Sequence, residues 1–86
     1  MFTVYVIQDP KGKHYTGHTS DINRRLQEHN NHFSHSTKHT TNWKIVYSEF
    51  FETRSEAMKR EKYLKSGRGR LELKDLIAGW SPPQAE

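Results

Sequence analysis

Cysteine is absent from the 86 residues, so neither a disulfide framework nor a Cys-ligated zinc can staple the fold. Apolar residues make up only 31%, which allows one modest core and a thin stabilising margin. No run is long and apolar enough to span a bilayer. The first residues also lack a basic region leading into an apolar run and a cleavage site, so a cytoplasmic protein with no membrane partner is expected. At this length there is room for one domain, placed at residues 1–79, with 80–86 as a flexible Pro-containing tail.

An acidic balance is missing too. The formal net charge is +4, and it is unevenly spread. Between Lys59 and Arg70 six basic residues (Lys59, Arg60, Lys62, Lys65, Arg68, Arg70) face one acid, Glu61, which leaves the rest of the chain at −1. A localised positive patch on a small domain points to a polyanion, although charge runs are also commonly just solvated helix faces.

What is present begins with two tyrosines ten residues apart, Tyr5 and Tyr15. Tyr5 lies in the apolar run Phe2 to Ile7, with Phe2, Val4 and Val6 on one face and Thr3, Tyr5 and Ile7 on the other. Asp9-Pro10-Lys11-Gly12 has the residue order of a type I turn. A second strand over Lys13 to Gly17 completes a hairpin. Ser20 is the expected N-cap of a helix that turns Ile22, Leu26 and His29 inward and ends near Asn30. Residues 31–42, polar and rich in Ser, Thr, Asn and His, read as a surface loop. Trp43 to Phe51 is the third strand, with Trp43, Ile45 and Tyr47 sharing one face.

Thr53 and Glu56 form a capping box for a helix that runs to about Ser66, with Gly67 as its C-cap. A last helix over Arg70 to Ala78 points Leu73, Leu76 and Ile77 inward. The order β-β-α-β-α-α predicts an α+β fold, a small three-stranded antiparallel sheet flanked by helices.

Chemistry enters through four residues. Ala57, Glu61 and Leu64 share one helical stripe, which puts a carboxylate on a face that should meet the sheet and needs a cation, donors or a metal. Each residue has a bland reading: Glu61 pairs with Lys65, Arg25 pairs with Asp21, and the tyrosines are strand aromatics. Taken together, two Tyr, one Arg and one Glu supply what metal-assisted phosphodiester hydrolysis requires. A carboxylate holds a hard divalent cation, a guanidinium matches the phosphate charge, and a phenol near cations serves as base or orients water.

Thr3-Val4-Tyr5, Tyr15-Thr16-Gly17, the helix Ser20 to Asn30 with Arg25, and Ser55 to Glu61 resemble the signature segments of the GIY-YIG nucleases, most of all the short stand-alone members. The resemblance implies hydrolysis of nucleic-acid phosphodiesters with one divalent cation, Mg²⁺ or Mn²⁺. Tyr5 would be the general base and Tyr15 its partner in orienting water or phosphate. Arg25 would stabilise phosphate, His29 would contact Tyr15 or a phosphate, and Glu61 would be the metal ligand. Gly17 would allow close backbone approach. Thr3 and Thr16 depart from the family triplets without removing a reacting group, and His18 stands where some members carry a lysine.

The expected function is therefore a metal-dependent endonuclease or DNA-processing domain, for instance in repair, acting on DNA ahead of RNA. The six basic residues would hold the backbone and give little sequence preference. The rival reading is a catalytically idle nucleic-acid-binding module of the same fold. A homodimer, or a partner that supplies specificity, is a further expectation, with Trp43, Phe50 and Phe51 as surface candidates if they are not core. A zinc site from His29, His32, His35 and His39 is disfavoured, because the spacings match no known finger.

Overall fold

The computed structural model describes residues 1–31 and 42–82. The elements are β1 (Phe2–Gln8), β2 (His14–Thr19), α1 (Ile22–Asn30), β3 (Lys44–Phe51), α2 (Arg54–Lys65) and α3 (Gly67–Gly79). The three strands form one antiparallel sheet in the order β2-β1-β3, so the apolar β1 is central and both of its faces are covered. Val4 and Val6 pack with Tyr47, Ala57, Leu64 and Leu73 under α2 and α3. Tyr5 and Ile7 pack with Trp43 and with Ile22 and Leu26 of α1. The two-faced reading of β1 and the α+β fold class therefore hold.

The β1–β2 turn is fixed by Asp9. Its carbonyl accepts from Gly12 N at 3.0 Å and its carboxylate accepts from Lys11 N at 3.0 Å and Lys13 N at 2.7 Å. Gly12 sits at φ +90°, where a side chain would be strained. This turn sets the register in which Tyr5 opposes Gly17.

Four expectations are corrected. The N-cap of α1 is Asp21, not Ser20; its side chain accepts from Arg24 N at 3.1 Å, while Thr19 Oγ1 accepts from Asp21 N. Strand β2 extends to Thr19 rather than ending at Gly17, because β1 continues to offer partners as far as Thr3. In β3, Val6 pairs with Tyr47 but Ile7 pairs with Ile45, so Val46 is an extra residue. That bulge sends Tyr47 to the α2 face and leaves Trp43 and Ile45 on the α1 face.

Finally, Ser66 rather than Gly67 ends α2, and it also caps α3, which starts three residues earlier than Arg70. Ser66 N donates to the Tyr63 carbonyl at 3.0 Å and its hydroxyl accepts from Gly69 N at 3.2 Å. The capping box at Thr53 and Glu56 is formed as expected.

Asn30, the last residue of α1, clamps the start of β3: its amide accepts from Trp43 N at 2.7 Å and donates to the Trp43 carbonyl at 3.2 Å. Trp43 is buried, Phe51 is half-buried on the core and Phe50 is exposed. Most of the surface loop expected over 31–42, with His32, His35 and His39, and the end of the 80–86 tail lie outside the described residues. No helix among the described residues is long and apolar enough to cross a membrane.

Candidate active site

Strand pairing and one helix bring three rings together. Tyr5 projects from β1 toward α1, and Tyr15 leaves β2 on the same face. His29 enters from the last turn of α1 and is fully buried. The Tyr5 hydroxyl and His29 Nε2 are hydrogen-bonded at 2.8 Å. The Tyr15 and His29 rings lie 4.7 Å apart between centroids, and the two tyrosine rings 6.3 Å apart.

Gly17 makes this cluster possible. A Cβ there would sit 2.8 Å from Tyr5 Oη, 3.0 Å from its Cζ and 3.1 Å from Tyr15 Cε1. The close approach expected of Gly17 is thus an approach of the two phenols to its backbone.

Burial, and then the Tyr15 phenol, push the Tyr5 pKa well above that of an ordinary phenol, against the pull of Arg25. The Glu61 charge adds a last, smaller rise. Burial and the Arg25 charge pull His29 down to about 4, so its imidazole is neutral at pH 7. The 2.8 Å hydrogen bond therefore joins a protonated phenol to a neutral imidazole, with the Arg25 guanidinium near the phenol oxygen.

Arg25 faces both phenols from α1, and its charge is held firmly because Glu28 and the tyrosines outweigh the cost of burial. Its ion pair is to Glu28 Oε1 at 2.9 Å, not to Asp21, whose side chain is spent on the cap. The i,i+3 spacing of Arg25 and Glu28 was the available sequence signal.

Glu61 lies one-fifth exposed at the outer edge of β2. Its Oε1 accepts from His18 Nδ1 at 2.6 Å and its Oε2 from Lys65 Nζ at 2.8 Å. Burial would raise its pKa, but these two donors hold it below the usual carboxylate value. The Lys65 pair expected from spacing is present, yet the carboxylate is not turned to open solvent. Lys65 also stands 5.9 Å from the Tyr15 ring centroid, between the acid and that ring. Arg54 Nη1 lies 3.4 Å from His18 Nε2, on the far side.

The basic residues divide. Lys59, Lys62, Lys65, Arg68 and Arg70 are exposed. Arg60 is not open surface: it pairs with Glu49 at 2.9 Å and Glu72 at 3.9 Å, and Glu49 also accepts from Tyr47 at 2.5 Å. Two cations that the sequence reading passed over, Arg54 and Lys74, flank the site. Lys74, one turn beyond Arg70, joins Lys65 and Arg70 on a groove of about 460 Å³ between β2 and α3, with Leu64, Leu73 and Ile77 as its apolar wall.

Comparison with known proteins finds relatives of the same size and fold. A UPF0213 protein of Staphylococcus saprophyticus is 36% identical over 77 residues, spanning 88% of this chain and 94% of its own. One from Halobacterium salinarum is 41% identical over 66 residues, spanning 76% of this chain and 86% of its own. The solution NMR structure of a UPF0213 protein from Bacillus halodurans matches with a TM-score of 0.56 and 30% identity, over 92% of this chain and 88% of that one. Residues 1–73 match the family described as the GIY-YIG catalytic domain, and the chain belongs to that nuclease family.

Proposed function

We propose that the domain is a metal-dependent endonuclease acting on nucleic-acid phosphodiesters, with DNA the preferred substrate. The observation that carries this reading is the meeting of Tyr5, Tyr15, Arg25 and His29 over Gly17, with the Glu61 carboxylate at the adjoining strand edge.

The donor set fits a hard divalent cation. Glu61 is partly exposed, and N–H donors of His18 and Lys65 stand on its two oxygens, the positions that a cation would take. Among the described residues no cluster of three or more acidic, His or Cys ligands forms, so Glu61 would hold an Mg²⁺ or Mn²⁺ that keeps most of its waters or exchanges them for phosphate oxygens. Such an ion polarises the phosphoryl group and stabilises the leaving oxygen.

The chain's own residues do the rest. Arg25, pinned by Glu28, supplies planar charge to the non-bridging oxygens. Tyr5, held by its hydrogen bond to His29, takes a proton from the attacking water as the general base, and the nearby Arg25 charge favours the tyrosinate that burial opposes. Tyr15 orients the water or the phosphate. Lys59, Lys62, Lys65, Arg68 and Arg70 retain the backbone without reading bases, joined by Arg54 and Lys74.

The test is incubation of purified protein with supercoiled, linear and branched DNA and with RNA, in Mg²⁺, Mn²⁺ or chelator. Metal-dependent cutting supports the enzyme. Binding without cutting on every substrate favours the idle module.

A further inference from the structure

His18 is the departure from the family pattern whose surroundings can be read atom by atom. It leaves β2 opposite Val4, and its Nδ1 donates to Glu61 Oε1 at 2.6 Å. Both side chains are one-fifth exposed, so the pair is held by packing yet open at the strand edge. The other Glu61 oxygen is held by Lys65, whose side chain is about half exposed.

Two ligand atoms each about 2.1 Å from one ion, at a right angle, are about 3.0 Å apart. The imidazole nitrogen and carboxylate oxygen therefore stand within a few tenths of an ångström of the spacing of adjacent ligands. On ion entry the Nδ1 proton would be lost or moved to Nε2, and the exposed Arg54 beside Nε2 has room to withdraw.

We infer that His18 is a second protein ligand of the divalent cation, which makes this a carboxylate–imidazole site that favours Mn²⁺ over Mg²⁺. Mg²⁺ is served by oxygen donors and gives up water reluctantly, whereas a first-row ion gains from an imidazole nitrogen. A protonated lysine at this position could not ligate at all. The inference rests on the metal-dependent reading above for the identity of the ion, and it adds a ligand that reading does not contain.

The experiment measures metal binding without nucleic acid: free Mn²⁺ by electron paramagnetic resonance, Mg²⁺ by competition, on wild type, His18→Ala and His18→Lys. The ratio of Mn²⁺ to Mg²⁺ affinity is the readout, since a changed local charge alters both affinities together. The expected result is a fall of about tenfold in that ratio in both variants. In wild type, Mn²⁺ should also broaden the His18 ring proton signals first. His18→Lys keeps a donor for Glu61, so a folded variant is available even if His18→Ala unfolds.

An unchanged ratio, or a wild type that binds no Mn²⁺, overturns the inference. An unchanged ratio in a protein that still cuts DNA with Mg²⁺ leaves the nuclease reading standing. A His18-dependent ratio in a protein that cuts nothing removes the nuclease reading and keeps the metal site.

Discussion

Tyr5 and Gly17 face each other across the β1–β2 pair so closely that a single methyl group at Gly17 would lie 2.8 Å from the Tyr5 hydroxyl. The second triplet's glycine is a steric requirement of the first triplet's tyrosine. Gly17→Ala must push the phenol off His29, since the strand backbone has little freedom to retreat. We predict a stability loss of about 1–3 kcal/mol and a fall in cleavage rate of about 100-fold. Thermal unfolding and single-turnover cleavage check the two effects separately.

His29 gives the fold a pH signature. Its unfolded value is about 6.5 and its folded value about 4, so between these the unfolded chain binds a proton that the native one refuses. Stability is fully present above pH 6.5 and is lost as pH falls. Glu61, whose pKa is also lowered, begins to contribute only below about its unfolded value of 4.5. Urea titrations from pH 7 to pH 5 therefore separate His29 from Glu61, and a loss of about 2 kcal/mol from His29 is expected. His29→Gln should flatten that slope whatever its absolute stability.

Arg25 is expected to act as a positioned fork and not merely as a charge. Arg25→Lys keeps the sign but loses the planar donors that Glu28 holds in place. Cleavage should fall by about 100-fold with substrate affinity nearly unchanged. Glu28→Gln, which frees the guanidinium without removing it, should show a smaller loss of the same kind. Rate and dissociation constants on one substrate would separate these effects from weakened binding.

The basic residues should sort by what they already hold. Arg60→Ala leaves Glu49 with Tyr47 alone and Glu72 with Tyr63 alone, and should cost about 1 kcal/mol of stability while leaving nucleic-acid affinity alone. Lys62→Ala and Arg70→Ala, both at exposed positions, should leave stability unchanged. Each should reduce the salt-dependence slope of binding by about one. Binding isotherms at several salt concentrations, beside unfolding curves, decide this.

The fold was legible where local chemistry and periodicity agreed. The Asp9–Gly12 turn, the Thr53 capping box and the alternation of β1 all carry their own signals, and they mark the hairpin, the start of α2 and the two covered faces of β1. What stayed hidden depends on contacts distant in sequence. The bulge at Val46 answers to β1, and no alternation within β3 announces it. Gly67 has the composition of a helix end, but Ser66 caps in both directions and Gly69 lets α3 start against α2: a Cβ at Gly69 would overlap the Tyr63 carbonyl. In the site, spacing nominated Tyr5, Tyr15, Arg25 and Glu61, but nothing local reveals that His18, 43 residues away, donates to Glu61.

The central claim is that Glu61 belongs to a working metal-dependent site, and separating retention from turnover in Glu61→Ala tests it most directly. Wild type should cut DNA in Mg²⁺ or Mn²⁺ and stop on chelation. Glu61→Ala should bind the same DNA within a few-fold and cut it at least about 100-fold more slowly. A Glu61→Ala protein that cuts as fast as wild type would contradict the account.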